Sequence, residues 1–362
     1  MARWRRFTEV SSIAFGATAA AAGVVMAAEK VAVGRLRLRP DPAAAEPFGK
    51  LRGRELTVIA DDGVPLHAEI NGPDNAPVTI IFSHGFTLNQ DSWHYQRRDL
   101  GAPGCGYRLV FWDQRSHGRS GRSDPANENI DQLGSDLHAI IKEAAPRRSP
   151  VVLAGHSMGG MTIMALADQH PELFGTKVIG IVLVATSAGG LSEVTLGLPG
   201  LFGAMMRRAA PGVMRGAGKG RRAVLVERAR RAGGDVAFLG TRFIAFGDPN
   251  ISPAITDFLE QMIRATPVEV VSQFFASLLI HDKSLCLPTL GRVPTVVIAG
   301  GKDRLTPWPL SEEIAAAVPG AELILDPDAG HVIMLERPDL VTGQLRELID
   351  RVTVKRRGKR SA

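Results

Sequence analysis

The stretch Val151-Val152-Leu153-Ala154-Gly155-His156-Ser157-Met158-Gly159-Gly160 decides how this chain is read. Four apolar residues in a row predict a short buried strand, and the glycines after them predict a turn into the next element. Ser157 sits in the middle of that turn, in a Gly-x-Ser-x-Gly pattern. A serine there is pushed into the open on a strained strand-to-helix corner, where side chains at 155 and 159 would collide with neighbouring backbone. The pattern therefore predicts a nucleophile, provided that the rest of the chain supplies a base, an acid and donors for a developing negative charge.

These partners are found downstream and upstream. Asp303 follows the strand-like run Thr295-Val296-Val297-Ile298-Ala299, within Gly300-Gly301-Lys302-Asp303. His331 closes Asp328-Ala329-Gly330-His331, after the run Ala321-Glu322-Leu323-Ile324-Leu325. Asp303 is the candidate acid and His331 the candidate base. The order Ser, Asp, His differs from the orders of the chymotrypsin and subtilisin triads. A serine hydroxyl is a poor nucleophile at neutral pH, so the base must take its proton during attack and return it to the leaving group. Two backbone N–H groups are candidates for the oxyanion hole. One belongs to Met158, the residue after the nucleophile; the other belongs to Phe86 in Ser83-His84-Gly85-Phe86, behind the run Val78-Thr79-Ile80-Ile81-Phe82.

On these motifs, from about Leu56 to Val352, the chain resembles the α/β-hydrolase superfamily, and within it the capped bacterial serine hydrolases of the esterase and haloperoxidase-like branch. The segment Asp113-Gln114-Arg115-Ser116-His117-Gly118-Arg119-Ser120 looks like that family's D-x-R-x-x-G-x-S loop and is read as structural. The resemblance implies an α/β-hydrolase fold: a mostly parallel twisted sheet flanked by helices, with a helical cap insertion. It implies a carboxylic ester as substrate, cleaved through an acyl-enzyme without a cofactor. Epoxide hydrolases and haloalkane dehalogenases attack with an aspartate where this chain has Ser157, and the only tyrosines, Tyr95 and Tyr107, both precede the cap. Carbon–carbon bond hydrolases usually carry asparagine where this chain has His156. The alternatives kept open are a cofactor-free perhydrolase, a thioesterase, a carbon–carbon bond hydrolase and, last, a non-enzymatic binding protein on a hydrolase scaffold.

The 362 residues divide into five regions. Residues 1–50 hold a basic start, an apolar stretch and a linker, all expected to lie outside the core. Residues 51–187 open with a hairpin around Asp61-Asp62-Gly63 and continue with the alternating strands and helices of a parallel sheet. Residues 188–290 contain no comparable strand series and are expected to form the helical cap. The strand rhythm resumes over 291–352, and 353–362 is a basic tail. In the cap, Phe202, Met205, Met206, Met214, Phe238, Phe243, Phe246, Phe258, Met262, Phe274 and Phe275 are available to line an acyl slot, although apolar residues at helical spacing more often pack than bind.

Charge adds a second expectation. The formal net charge is +6, and between Arg207 and Arg231 nine basic residues face one acid, Glu227. With the tail Lys355-Arg356-Arg357-Gly358-Lys359-Arg360, this cluster suits an anionic membrane surface. No nucleic-acid motif accompanies the charge. Upstream, the uncharged Val10–Ala28 would span roughly 30 Å as a helix, about one hydrocarbon core. It predicts an uncleaved anchor, or else a signal peptide cut near Val25-Met26-Ala27. Basic residues on both sides of it, Arg3, Arg5 and Arg6 against Lys30, Arg35, Arg37 and Arg39, leave its orientation open. No histidine shows metal-ligand spacing, Gly216-Ala217-Gly218-Lys219-Gly220 lacks the strand a phosphate loop needs, and Cys105 and Cys286 have no C-x-x-C spacing. Neither a metal nor a nucleotide is expected, and the oligomeric state is not readable.

Overall fold

The computed structural model describes residues 33–34, 40–102, 104–194 and 234–360. Eight strands form one sheet: β1 (Arg54–Ile59), β2 (Pro65–Asn71), β3 (Thr79–Ser83), β4 (Arg108–Trp112), β5 (Val151–His156), β6 (Val178–Val184), β7 (Thr295–Gly300) and β8 (Glu322–Asp326). Their order across the sheet is β1-β2-β4-β3-β5-β6-β7-β8. The β1–β2 and β2–β4 pairs are antiparallel and the other five parallel. The apolar runs in the sequence thus become strands, because a strand covered on both faces is apolar along most of its length, with polar residues such as Thr79, Arg108 and Thr295 at its ends.

Successive side chains on a strand point to opposite faces, and the core divides accordingly. Ile80, Phe82, Leu109, Phe111, Val152, Ala154, Val182 and Val184 share one buried cluster. Their chain neighbours Ile81, Val110, Trp112, Val151, Leu153, Ile181 and Leu183 belong to another. The first cluster is closed by α1 (His94–Leu100) and by α8 (Pro338–Arg360), through Leu100, Leu345 and Leu348. The second is closed by α2 (Ile130–Ala144), α3 (Met158–Gln169) and α7 (Trp308–Ala317), through Leu137, Ile163 and Ile314. Each fully buried Val, Leu, Ile or Phe contributes roughly 1.5–3 kcal/mol, so this double core needs no cystine, and both cysteines are free.

Between β6 and β7 the described chain is helical: α4 (Gly234–Ala245), α5 (Pro253–Ala265) and α6 (Val268–Ile280), followed by a short helix, Leu287–Leu290. Phe238, Phe246, Phe258, Met262 and Phe274 of this insertion are buried, whereas Phe243 is 55 % exposed. Phe202, Met205, Met206, Met214 and the basic cluster between Arg207 and Arg231 lie outside the described residues, as does the candidate span Val10–Ala28. Among the described residues no single helix is long and apolar enough to cross a membrane. One bent pair, α5 with α6 at 93°, passes by length and composition, but its apolar side chains are drawn into the core: Ile255, Phe258, Leu259 and Met262 join the first cluster, and Val270, Phe274 and Leu278 pack with Leu133 and Met158.

One expectation is corrected. The linker before residue 50 does not stand clear of the core. Asp41 accepts hydrogen bonds from Ser252 Oγ and from Ala254 N at 3.0 Å, adding a carboxylate cap to the start of α5 beside the hydroxyl of the N-cap Ser252. Phe48 stacks on Phe258 with ring centroids 4.7 Å apart, and Glu46 pairs with His94 and Arg98 of α1. This strap therefore fastens α5 to α1. The basic tail continues the last helix: α8 runs on to Arg360, lysine and arginine being good helix formers, and the single Gly358 does not interrupt it.

Candidate active site

The chain passes from β3 to β4 on one side and then returns past β3 to β5 on the other, so the loops after β3 and β5 diverge. Such a crevice at the carboxyl ends of parallel strands is where open α/β sheets hold their ligands. Phe86 follows β3 there and Ser157 follows β5, with Ser83 and Gly155 paired in register at the mouth. Asp303 and His331 follow β7 and β8 at the same edge.

Ser157 has φ +51° and ψ −117°, outside the regions L-residues favour. The corner is held because its N–H donates to Val184 O at 2.9 Å and its carbonyl accepts from Thr186 Oγ1 at 2.7 Å. The glycines permit it: a Cβ at Gly155 would lie 2.4 Å from Gly159 O, and one at Gly159 would lie 2.1 Å from Ser83 O. Three other non-glycine residues among those described have positive φ, namely Thr87, Ser116 and Ala185. They follow β3, β4 and β6, so backbone strain gathers at one end of the sheet, the usual signature of a functional edge.

Asp303 and His331 meet directly. His331 Nδ1–H donates to Asp303 Oδ2 at 2.8 Å, and the carboxylate is fully buried. Asp303 also accepts from Leu305 N (2.8 Å), Thr306 N (2.9 Å) and Thr306 Oγ1 (2.8 Å). With its oxygens so fixed, the carboxylate presents one lone pair to the imidazole and holds it as the Nδ1–H tautomer, with Nε2 left to accept a proton. Thr306 was not singled out in the sequence; its spacing Asp-x-x-Thr is the signal that marks such a carboxylate-capped turn. No hydrogen bond joins Ser157 Oγ to His331 among the described residues. They are linked through His156, whose Nε2–H donates to His331 O at 3.0 Å, and its ring lies 4.8 Å from that of His331.

The N–H groups of Phe86 and Met158 donate to no protein acceptor among the described residues. Met158 opens α3, where the first N–H groups have no intrahelical partner and carry the positive end of the helix dipole. The Phe86 turn is set by the 113–120 loop. Gln114 brackets His84, its N–H donating to His84 Nε2 (2.9 Å) and its amide to His84 O (2.6 Å), while Gln114 Oε1 accepts from Thr162 of α3 (2.6 Å). His117 Nε2 accepts from Thr87 N at 3.2 Å. Both rings are therefore neutral acceptors, and burial holds their pKa values down, His84 at about 3 and His117 at about 4. The loop itself is anchored by Arg115, fully buried and bidentate to Asp136 at 2.6 Å, with Asp62 on its other side. That guanidinium holds the Asp62 carboxyl down at about 2.

Glu55, His67 and Glu69 bring ligand atoms within 4.8 Å of one another. Arg97 and Arg119 both bond Glu69, so the cluster already holds its positive charge and opposes a cation. Over the Phe86 turn, Phe274 of α6 packs against Phe86 and His117 at ring separations of 6.5 and 5.4 Å.

Residues 80–344 match the alpha/beta hydrolase family, and the chain belongs to it. It is 25 % identical over 264 residues to the AB hydrolase superfamily protein YisY of Bacillus subtilis, covering 72 % of this chain and 88 % of that one. The solved structure of a thermophilic esterase from Thermogutta terrifontis aligns with TM-score 0.64 at 24 % identity, over 83 % of this chain and 99 % of that chain. A shorter likeness, 32 % identical over 115 residues, links it to the bifunctional esterase/perhydrolase DCH of Acinetobacter calcoaceticus, covering 32 % of this chain and 40 % of that protein.

Proposed function

We propose that the protein is a serine hydrolase that cleaves carboxylic esters, with Ser157 as nucleophile, His331 as general base and Asp303 as its orienting acid. The observation that carries this reading is the 2.8 Å Asp303–His331 hydrogen bond, formed beside a strained serine corner. In the reaction Ser157 Oγ attacks the acyl carbon as His331 Nε2 takes its proton. The carbonyl oxygen, now anionic, is received by the Phe86 and Met158 N–H groups, preorganised donors of a kind worth about 10²–10³ each in turnover. His331 then passes the proton to the departing alkoxide, and water repeats the sequence on the acyl-enzyme. No cofactor enters these steps. In this reading residues 188–290 are a cap, and Phe274 over the Phe86 turn makes the acyl side of the site apolar.

A series of nitrophenyl esters of increasing acyl length tests the reaction. Turnover is expected on short and medium acyl chains, with the best length sizing the slot; a folded protein inert on the whole series would remove the esterase reading. The partial likeness to an esterase/perhydrolase favours one second reading, in which hydrogen peroxide replaces water as acyl acceptor. Halide oxidation that depends on both acetate and peroxide would put it ahead. We also propose that Val10–Ala28 attaches the enzyme to a membrane, supported by its length and the basic residues flanking it. The full chain is expected in the membrane fraction after an alkaline wash, and its quantitative release would sink the anchor.

A further inference from the structure

The main chain around His331 is tied to the helical insertion rather than to the sheet alone. His331 N and Val332 N both donate to Ala245 O, at 2.9 and 3.1 Å, at the end of α4. Glu336, only 7 % exposed, spans the two segments with its carboxylate: Oε2 accepts from Gly330 N at 2.7 Å, and Oε1 accepts from Gly247 N at 3.0 Å and from Asp248 N. The backbones are in contact with no room for side chains. A Cβ at Gly330 would lie 2.5 Å from Gly247 N, and one at Gly247 would lie 2.2 Å from Asp328 O. The Asp303 loop grips the same place: Arg304 Nη1 donates to Phe243 O at 2.7 Å and its guanidinium covers the Phe243 ring at 4.2 Å.

We propose that the end of α4, Phe243 to Asp248, is a positioning element for the base, and that Glu336 is the clamp that makes the insertion and the His331 loop one body. The inference rests on the reading of His331 as base. The coupling is geometric. A rigid carboxylate accepting from three N–H groups fixes Gly330, the residue before the base, against the insertion. The opposite side of His331 is fixed by His156 Nε2–H on its carbonyl. Displacement of α4 is therefore carried to the imidazole, and a misplacement of about 1 Å at a catalytic group costs about 100-fold in rate. Glu336 touches no reacting atom, so its effect belongs to kcat and not to substrate affinity.

The test uses the full chain with Glu336→Gln and, as a milder cut at the exposed grip, Arg304→Met. In glutamine one oxygen becomes an NH₂ that faces an N–H, so one side of the clamp opens while volume is kept. Two readouts are taken: kcat and KM on a nitrophenyl ester, and the low-field proton resonance of His331 Nδ1–H, assigned by its loss in His331→Gln. For Glu336→Gln we expect kcat to fall about 10- to 100-fold with KM within about twofold, and the resonance to shift or broaden; Arg304→Met is expected to move both in the same direction by less. Folded variants with wild-type kcat and an unmoved resonance would overturn the clamp. If Glu336→Gln fails to fold, Arg304→Met decides by the same criteria. A wild type without ester turnover would end the esterase reading alone, since the resonance reports the clamp without any substrate.

Discussion

Alanine in place of Ser157 is expected to lower ester turnover by about 10⁴–10⁶-fold and to leave the fold intact. The size follows from what is removed. The hydroxyl is the bond-forming group, and without it the imidazole has no proton to take, so the remaining catalysis comes only from the oxyanion donors and from binding. The small cost to the fold follows from the contacts: the elbow is held by the backbone of Ser157, through Val184 O and Thr186 Oγ1, and alanine keeps both. The substitution Asp303→Asn is expected to cost about 10⁴ for a different reason, because the amide can offer an N–H to Nδ1 and so favour the wrong tautomer. Steady-state kinetics on the best nitrophenyl ester, with melting curves of each variant, measures both. An alanine variant within tenfold of wild type would mean that Ser157 is not the nucleophile.

Stability is expected to be nearly flat from pH 7 to pH 8 and to fall steeply between about pH 6.5 and pH 4. His84, His117, His156 and His281 are buried, and burial depresses the pKa of each: to about 3, about 4 and about 4 for His84, His117 and His281, and well below the ordinary value for His156. In the unfolded chain all four bind protons near pH 6.5. As pH falls through that value the unfolded state gains protons that the folded state refuses, so the stability these rings contribute above it is lost down to the folded pKa values. Asp113 works in the opposite sense. Burial lifts its pKa to about 6, so the folded state takes up one proton as pH drops through 6, offsetting one histidine. Burial also raises Glu128, Asp136 and Glu336, which reduces the slope further toward the acid end. Each unbalanced proton is worth about 1.4 kcal/mol per pH unit, which puts the net fall at roughly 2–4 kcal/mol per pH unit near pH 5.5. Urea midpoints measured from pH 8 to pH 5 check this, and a constant midpoint would contradict it. Two of the rings, His84 and His117, set the Phe86 turn, and in the folded state they take up protons only near pH 4 and below.

The apolar runs made every central strand legible, because burial on both faces confines polar residues such as Thr79, Arg108 and Thr295 to the strand ends. The Gly-x-Ser-x-Gly corner and the loops after β7 and β8 likewise put Ser157, Asp303 and His331 at one edge of the sheet from chain order alone. The reversal that sends β4 and β5 to opposite sides of β3 was not legible, since strand order depends on pairings that no local pattern encodes. Thr306, Gln114 and Glu336 were missed for a related reason. Each is an ordinary polar residue whose role exists only through partners that the fold brings near, such as Glu336 meeting Gly247 across 89 positions of chain. Residues 40–50 misled in the other direction: prolines and alanines gave them the composition of a linker, while the few residues that dock, Asp41, Glu46 and Phe48, carry no periodic signal.

That docked strap sets a load path. The family match begins at residue 80, and chain order alone would have a tether upstream of residue 40 pull on the first strand at the sheet's edge. Instead, Asp41 is bonded to the first turn of α5, and Phe48 is wedged between Phe258 and α1, so a pull on the amino-terminal side is delivered to the helical insertion before it reaches β1. Whatever holds the chain from that end holds it by the helical insertion, and the sheet hangs from the insertion rather than the insertion from the sheet.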